Sequence, residues 1–108
     1  MTEDEKAFDN QRTHPRIAVN KNVKCKYEDD SLQTLMKDVS LGGAALIWPT
    51  SLEIGKVIVV QFSTELYFDA QVRWCRPSEN HAEIGVQFID LDEIAAIYFG
   101  EYIQSMEE

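Results

Sequence analysis

From Ile17 onward the chain alternates between apolar and polar positions. Ile17, Val19, Val23, Cys25 and Tyr27 share one side of an extended backbone, and Ala18, Asn20, Asn22, Lys24 and Lys26 share the other. Lys21 alone breaks the apolar side. A period of two over this length predicts a half-buried β-strand. Glu28-Asp29-Asp30-Ser31 reads as a turn, and Leu32 to Val39 as a second strand with weaker alternation. Ser40-Leu41-Gly42-Gly43 marks a tight turn before a short apolar strand, Ala44 to Trp48, which Pro49 ends. Lys56 to Ser63 is rich in β-branched residues and predicts a buried strand. Leu66, Phe68, Ala70, Val72 and Trp74 then alternate with Tyr67, Asp69, Gln71, Arg73 and Cys75. After a turn around Pro77-Ser78-Glu79-Asn80, Ala82, Ile84, Val86 and Phe88 are expected inward and Glu83, Gly85 and Gln87 outward.

The period changes near the C-terminus. Asp90, with Glu93 three residues on, predicts a helix N-cap of the capping-box kind. Ile94, Ile97 and Tyr98, joined by Phe99, Tyr102, Ile103 and Met106, form a helical apolar stripe over 90–106. Gly100 either weakens this helix or marks close packing. Six short strands at regular spacing and one terminal helix predict an all-β domain, a six-stranded antiparallel barrel with the helix over one end. The barrel is expected over 17–89. Residues 1–10 read as a flexible, polar tail, and 11–16 as a loop, because Pro15 biases His14 toward extended backbone.

Composition narrows the class. A chain of 108 residues suggests one domain. No apolar run approaches the ~18 residues of a membrane-spanning helix. The acidic N-terminus does not resemble a secretion signal, so the cytoplasm is the expected location and no membrane insertion is expected. Cys25 and Cys75 fit no metal or redox spacing and read as reduced thiols.

Charge is informative through its distribution. The net charge is −9, yet Gln11 to Tyr27 holds five basic residues (Arg12, Arg16, Lys21, Lys24, Lys26) and no acid. Beyond Arg76 there is no basic residue, and eight acids follow. Polyanions such as DNA or RNA are disfavoured as partners, whereas a small anion at one basic site is not.

Two motifs carry candidate chemistry. The first is an RxxxR pair, Arg12 and Arg16, in the loop; the second is a DxSxxG, Asp38-Val39-Ser40-Leu41-Gly42-Gly43, at a strand end. Asp38 and Ser40, two apart on extended backbone, are expected to project from one face, an acceptor beside a hydroxyl. At Gly43 a Cβ would block a ligand from the backbone or prevent positive φ. A guanidinium pairs with O6 and N7 of guanine, lies flat on a purine, or forks onto phosphate. A carboxylate accepts from N1 and N2 on the opposite guanine edge. Solvated loop arginines and a turn organised by Asp38 and Ser40 are the structural alternatives.

Taken together, these residues resemble the PilZ domain family, whose hallmark is RxxxR followed by (D/N)xSxxG. The resemblance extends through Leu41-Gly42-Gly43-Ala44, Pro49 and Gly55, Ala70-Gln71-Val72-Arg73-Trp74 and Ile84-Gly85-Val86-Gln87-Phe88, over about residues 11–106. It implies a six-stranded barrel, a cyclic di-GMP (c-di-GMP) site on the outer surface and an N-terminal loop that closes over the ligand. It assigns guanine and phosphate to Arg12 and Arg16, and the second side of the site to Asp38, Ser40 and Gly43. Gln11, His14, Gly42 and Arg73 are further candidates for contact. Arg73 reads first as a solvated strand charge, and Trp48 and Trp74 read first as core or rim. The family binds one ligand or an intercalated pair, and Gln11 does not decide between them.

The function expected from the resemblance is a c-di-GMP receptor that signals to a partner protein in motility, biofilm or virulence control. No enzyme is expected: there is no GxSxG, HExxH or P-loop, and neither His14 nor His81 has the companions of a catalytic site. No metal or cofactor is expected beyond the ligand itself; Asp90, Asp92 and Glu93 lack the glycine and later ligands of a calcium loop. The alternatives are a ligand-independent interaction domain of the same fold and a barrel that binds single-stranded nucleic acid. The acidic balance argues against the latter.

Overall fold

The computed structural model describes residues 16–106. The tail expected over 1–10, and Gln11, Arg12 and His14 of the expected loop, lie outside the described residues. The elements in chain order are β1 (Ile17–Tyr27), β2 (Asp30–Val39), β3 (Gly43–Trp48), β4 (Val57–Gln61), β5 (Tyr67–Pro77), β6 (Ala82–Phe88) and α1 (Glu93–Met106). The strands close into a barrel in the order β1-β2-β3-β6-β5-β4, every pair antiparallel. Two three-stranded meanders thus meet at the β1–β4 and β3–β6 seams. Closure removes the exposed edges that an open sheet would present.

Three β-bulges decide which side chains face the core. In β1, Ala18 opposes Asp38 but Lys21 opposes Met36, so β1 carries an extra residue, with Asn20 at φ +49°. Lys21, which breaks the sequence pattern, follows this bulge and stays exposed opposite the buried Met36. In β2 the steps from Met36 to Asp38 match one step on β3, from Leu46 to Ala45. Met36 and Val39 are therefore both buried although three apart, which explains the weak alternation of that strand. In β5 the steps from Val72 to Trp74 match one step on β6, from Val86 to Gly85. Unbroken alternation puts Trp74 inside and Cys75 outside; the bulge at Arg73 reverses both. Trp74 lies opposite outward Gly85, and Cys75 opposite the buried Ile84.

Other boundaries shift for local reasons. Tyr27 pairs with Asp30, so the first turn is the two residues Glu28-Asp29, with Glu28 at φ +57°. The β-branched run of β4 alternates, with Val57 exposed and Ile58 and Val60 buried, instead of being buried throughout. The helix cap is Asp92, not Asp90: Asp92 Oδ1 accepts from Ala95 N at 2.7 Å, whereas Asp90 turns the chain at φ +59°.

The helix also buries a different face from the one its Ile and Tyr residues suggest. Phe99 and Ile103 are buried, while Ile94, Ile97 and Tyr98 are 67%, 63% and 62% exposed. The barrel end selects this face because it offers an aromatic seat. The Phe99 ring lies 4.8 Å from Phe62, 4.8 Å from Phe68 and 5.2 Å from Phe88, in tilted or edge-on geometry. Tyr102 completes the seat by donating its hydroxyl to the Phe62 carbonyl at 3.1 Å. Gly100 makes no close contact, so its absent side chain is not required by packing.

Candidate functional site

The end of the barrel that α1 covers also carries the DxSxxG turn, between β2 and β3. This turn is tied internally. Ser40 N donates to the Gly43 carbonyl at 2.8 Å, and Ser40 Oγ accepts from Gly42 N at 3.1 Å and Gly43 N at 3.3 Å. Phe88 N donates to the Gly42 carbonyl at 2.9 Å, fastening the turn to the end of β6. Ser40 is buried, so its hydroxyl organises the turn; accepting twice, it keeps one O–H donor.

Gly43 has a packing reason to be glycine. A Cβ there would lie 2.1 Å from the Val86 carbonyl oxygen of the adjacent strand. Its backbone is not in the positive-φ region, so of the two sequence-based reasons for glycine, positive φ does not apply.

Asp38 behaves differently from Ser40. The β2 bulge turns it outward, and its side chain is 31% exposed. It accepts from Arg16 Nη1, forming an ion pair with a guanidinium that is itself half exposed. Asp38 and Ser40 therefore do not present a matched acceptor and hydroxyl on one open face. The outward group is the Arg16–Asp38 pair, and Ser40 lies beneath it in the turn.

Register extends this surface across the barrel. Ala18, Asp38, Ala45, Gly85 and Trp74 oppose one another in sequence across β1, β2, β3, β6 and β5. The row has bulky groups only at Asp38 and Trp74, roughly 14 Å apart by three strand spacings. The Trp74 indole fills the space over Gly85, where a Cβ would lie 2.1 Å from its ring. Arg76 covers that ring from 4.7 Å, a cation–π contact. In the neighbouring row Gln87 opposes Gly43, and Arg73 Nη1 donates to Gln87 Oε1 at 2.7 Å.

Of the residues singled out in the sequence, the structure thus groups Arg16, Asp38, Ser40, Gly42, Gly43 and Arg73 around one end of the barrel's outer surface. Gln11, Arg12 and His14 lie outside the described residues. Sequence reasoning missed the outward placement of Trp74 and the bridging position of Gln87. The small residue Gly85 is the trace that the Trp74 ring leaves in the sequence. Trp48, in contrast, is buried in the core as expected. Among the described residues no cluster of three His, Cys, Asp or Glu side chains is placed to hold a metal ion, and no helix is long and apolar enough to cross a membrane.

The family model for the PilZ domain matches residues 10–105. The chain belongs to the PilZ domain family. Solved structures agree on the fold. The PilZ domain of Escherichia coli YcgR with c-di-GMP superposes with a TM-score of 0.71 at 19% identity, covering 91% of this chain and 92% of that one. The crystal structure of E. coli YcgR in complex with c-di-GMP gives 0.70 at 21% identity over 90% of this chain. The Bacillus subtilis inhibitor of motility, MotI/DgrA, gives 0.65 at 15% identity over 91% of this chain. This PilZ chain spans 46% of the YcgR chain and 51% of MotI/DgrA, so it matches about half of each. No curated protein matched the sequence.

Proposed function

We propose that this PilZ protein is a receptor for c-di-GMP that binds the nucleotide without transforming it. The observation that carries the reading is the outward Arg16–Asp38 pair above the tied Ser40–Gly43 turn. One guanine can satisfy both partners: O6 and N7 accept from the Arg16 guanidinium, and N1 and N2 donate to the Asp38 carboxylate. The ligand would then replace an exposed ion pair that is worth little by itself, about 0–1 kcal/mol. Arg73, placed on Gln87 beside Gly43, is positioned for a phosphate. YcgR, solved in complex with c-di-GMP, shares the fold and supports the ligand assignment.

The ligand-closing loop over 11–16 and the contacts of Arg12, Gln11 and His14 belong to the same proposal. Binding draws this segment onto the site and changes the surface that a partner protein reads. Amide hydrogen exchange over residues 8–18 should slow when ligand is added; unchanged exchange would remove this step. Motility is the first output to assay, because MotI/DgrA is described as an inhibitor of motility.

Titration calorimetry with c-di-GMP, GTP and cyclic GMP tests the receptor reading directly. Selective binding of c-di-GMP is expected. Arg16→Ala should cost about 1–3 kcal/mol, or roughly 5- to 150-fold in affinity, with little change in melting temperature. Absence of binding by the wild-type protein would replace this reading with the ligand-independent interaction domain.

A further inference from the structure

The face of α1 that does not enter the barrel is apolar where solvent-facing helices are ordinarily polar. Ile94, Ile97 and Tyr98 are each more than three-fifths exposed, and their i, i+3, i+4 spacing makes one continuous patch. Glu101 follows at i+7 on the same face and is exposed. Glu93 flanks the patch, and Asp90 and Asp92 precede it, all exposed. Between Arg76 and the C-terminus there is no basic residue, so nothing on this helix or its approach neutralises those carboxylates. Among the described residues the patch packs against nothing: Phe99 and Ile103 hold the helix to the barrel from the opposite side.

We propose that this face docks a cationic amphipathic helix of a partner protein, one with apolar residues at helical spacing flanked by lysine or arginine. Charge selects this occupant over the two others. A second copy packed face to face would bring Glu93 and Glu101 against their own images, with no cation to separate them. The chain's first ten residues carry Glu3, Asp4, Glu5 and Asp9 against Lys6 alone, which is the wrong sign for an intramolecular cover. A cationic helix matches both features, burying its apolar stripe on Ile94, Ile97 and Tyr98 and placing its charges beside Glu93 and Glu101. The patch shares no residue with the Arg16–Asp38 site and does not rest on the receptor reading.

The test uses the full chain, isotopically labelled and free of c-di-GMP, so that its result does not depend on the receptor reading. The probes are two synthetic helical peptides of about 18 residues, long enough to hold a helix on binding. Both carry leucine at i, i+3, i+4 and i+7; one has lysine at the remaining positions and the other has glutamate. The lysine peptide should shift the NMR resonances of Ile94, Ile97, Tyr98 and Glu101, and the glutamate peptide should not. Ile97→Ser should weaken binding about tenfold, and Glu101→Lys about threefold. Both positions are exposed, so unchanged melting temperatures are expected to show that the variants fold. No binding, equal binding of both peptides, or shifts centred on another acidic region such as Glu28 and Asp30 would overturn the proposal. Self-association of the protein that Ile97→Ser abolishes would also overturn it, in favour of a second copy.

Discussion

The two ends of this barrel are formed by the same six strands and closed by different means. At one end α1 inserts Phe99 among Phe62, Phe68 and Phe88, and the ring is fully buried. At the other end, the segment between β3 and β4 crosses the mouth and lowers Leu52 into it. A cavity of about 440 Å³ remains, lined by Tyr27, Leu32, Trp48 and Leu52 together with Glu28 and Asp30. Both motif residues on the described surface, Arg16 and Asp38, lie toward the aromatic end. A site whose side chains must be held in place is better supported where the floor is densely packed, because neighbouring groups there have no room to relax. The end with this cavity carries none of the described motif residues.

The contrast is most exposed to test through its two plugs. Phe99→Ala should cost about 3–5 kcal/mol in urea unfolding, since it empties a closed aromatic seat. Leu52→Ala should cost about 2 kcal/mol, the low end for such a truncation, because the site already borders a cavity. Equal losses would mean that the two ends are packed alike. The glycines provide a smaller version of the same comparison. Gly43→Ala meets a backbone carbonyl that the sheet ladder holds in place, and should cost about 3 kcal/mol. Gly85→Ala meets the Trp74 indole first, a side chain that can swing outward, and should cost about 1 kcal/mol with a red shift in tryptophan fluorescence.

Cys25 reports on the barrel interior between the two ends. It opposes Leu32 and Val60, and burial pushes its thiol up from near 9 to about 12. The folded state therefore holds the proton that the unfolded state releases. This contribution is complete below pH 9 and is lost progressively as the pH rises toward 12. The urea midpoint should fall more steeply above pH 9 in the wild type than in Cys25→Ala. Identical profiles would show that water reaches the Cys25 thiol in the folded barrel. The smallest effect is a gain: Gly100→Ala should stabilise the protein by about 0.5–1 kcal/mol, because helix propensity improves and the added methyl meets nothing.

Much of this molecule was legible from local pattern. The strand positions, the terminal helix and the location of the DxSxxG turn all follow from period and turn chemistry. Three features were not. The faces of Trp74 and Cys75 reversed because one inserted residue flips every side chain beyond it, and a bulge leaves no reliable mark in a single sequence. The cap moved from Asp90 to Asp92 because both are good capping residues and the strand exit chose between them. The bonds of Ser40 were open between a ligand contact and a turn; in the fold its hydroxyl accepts from the Gly42 and Gly43 amides, a geometry that depends on how the turn closes.

By itself the sequence determined the alternation that makes six strands, the Phe and Tyr content of the terminal helix, the local concentration of positive charge and the residue types of the motifs. These depend on neighbours along the chain, within reach of one or two turns. Only the tertiary structure decided that Arg16 would meet Asp38 across 22 positions, that Trp74 would lie over Gly85, and that α1 would bury Phe99 and leave Ile94, Ile97 and Tyr98 to solvent. Each of those outcomes depends on barrel closure, bulge register and the shape of the barrel mouth, which arise only when distant segments pack together.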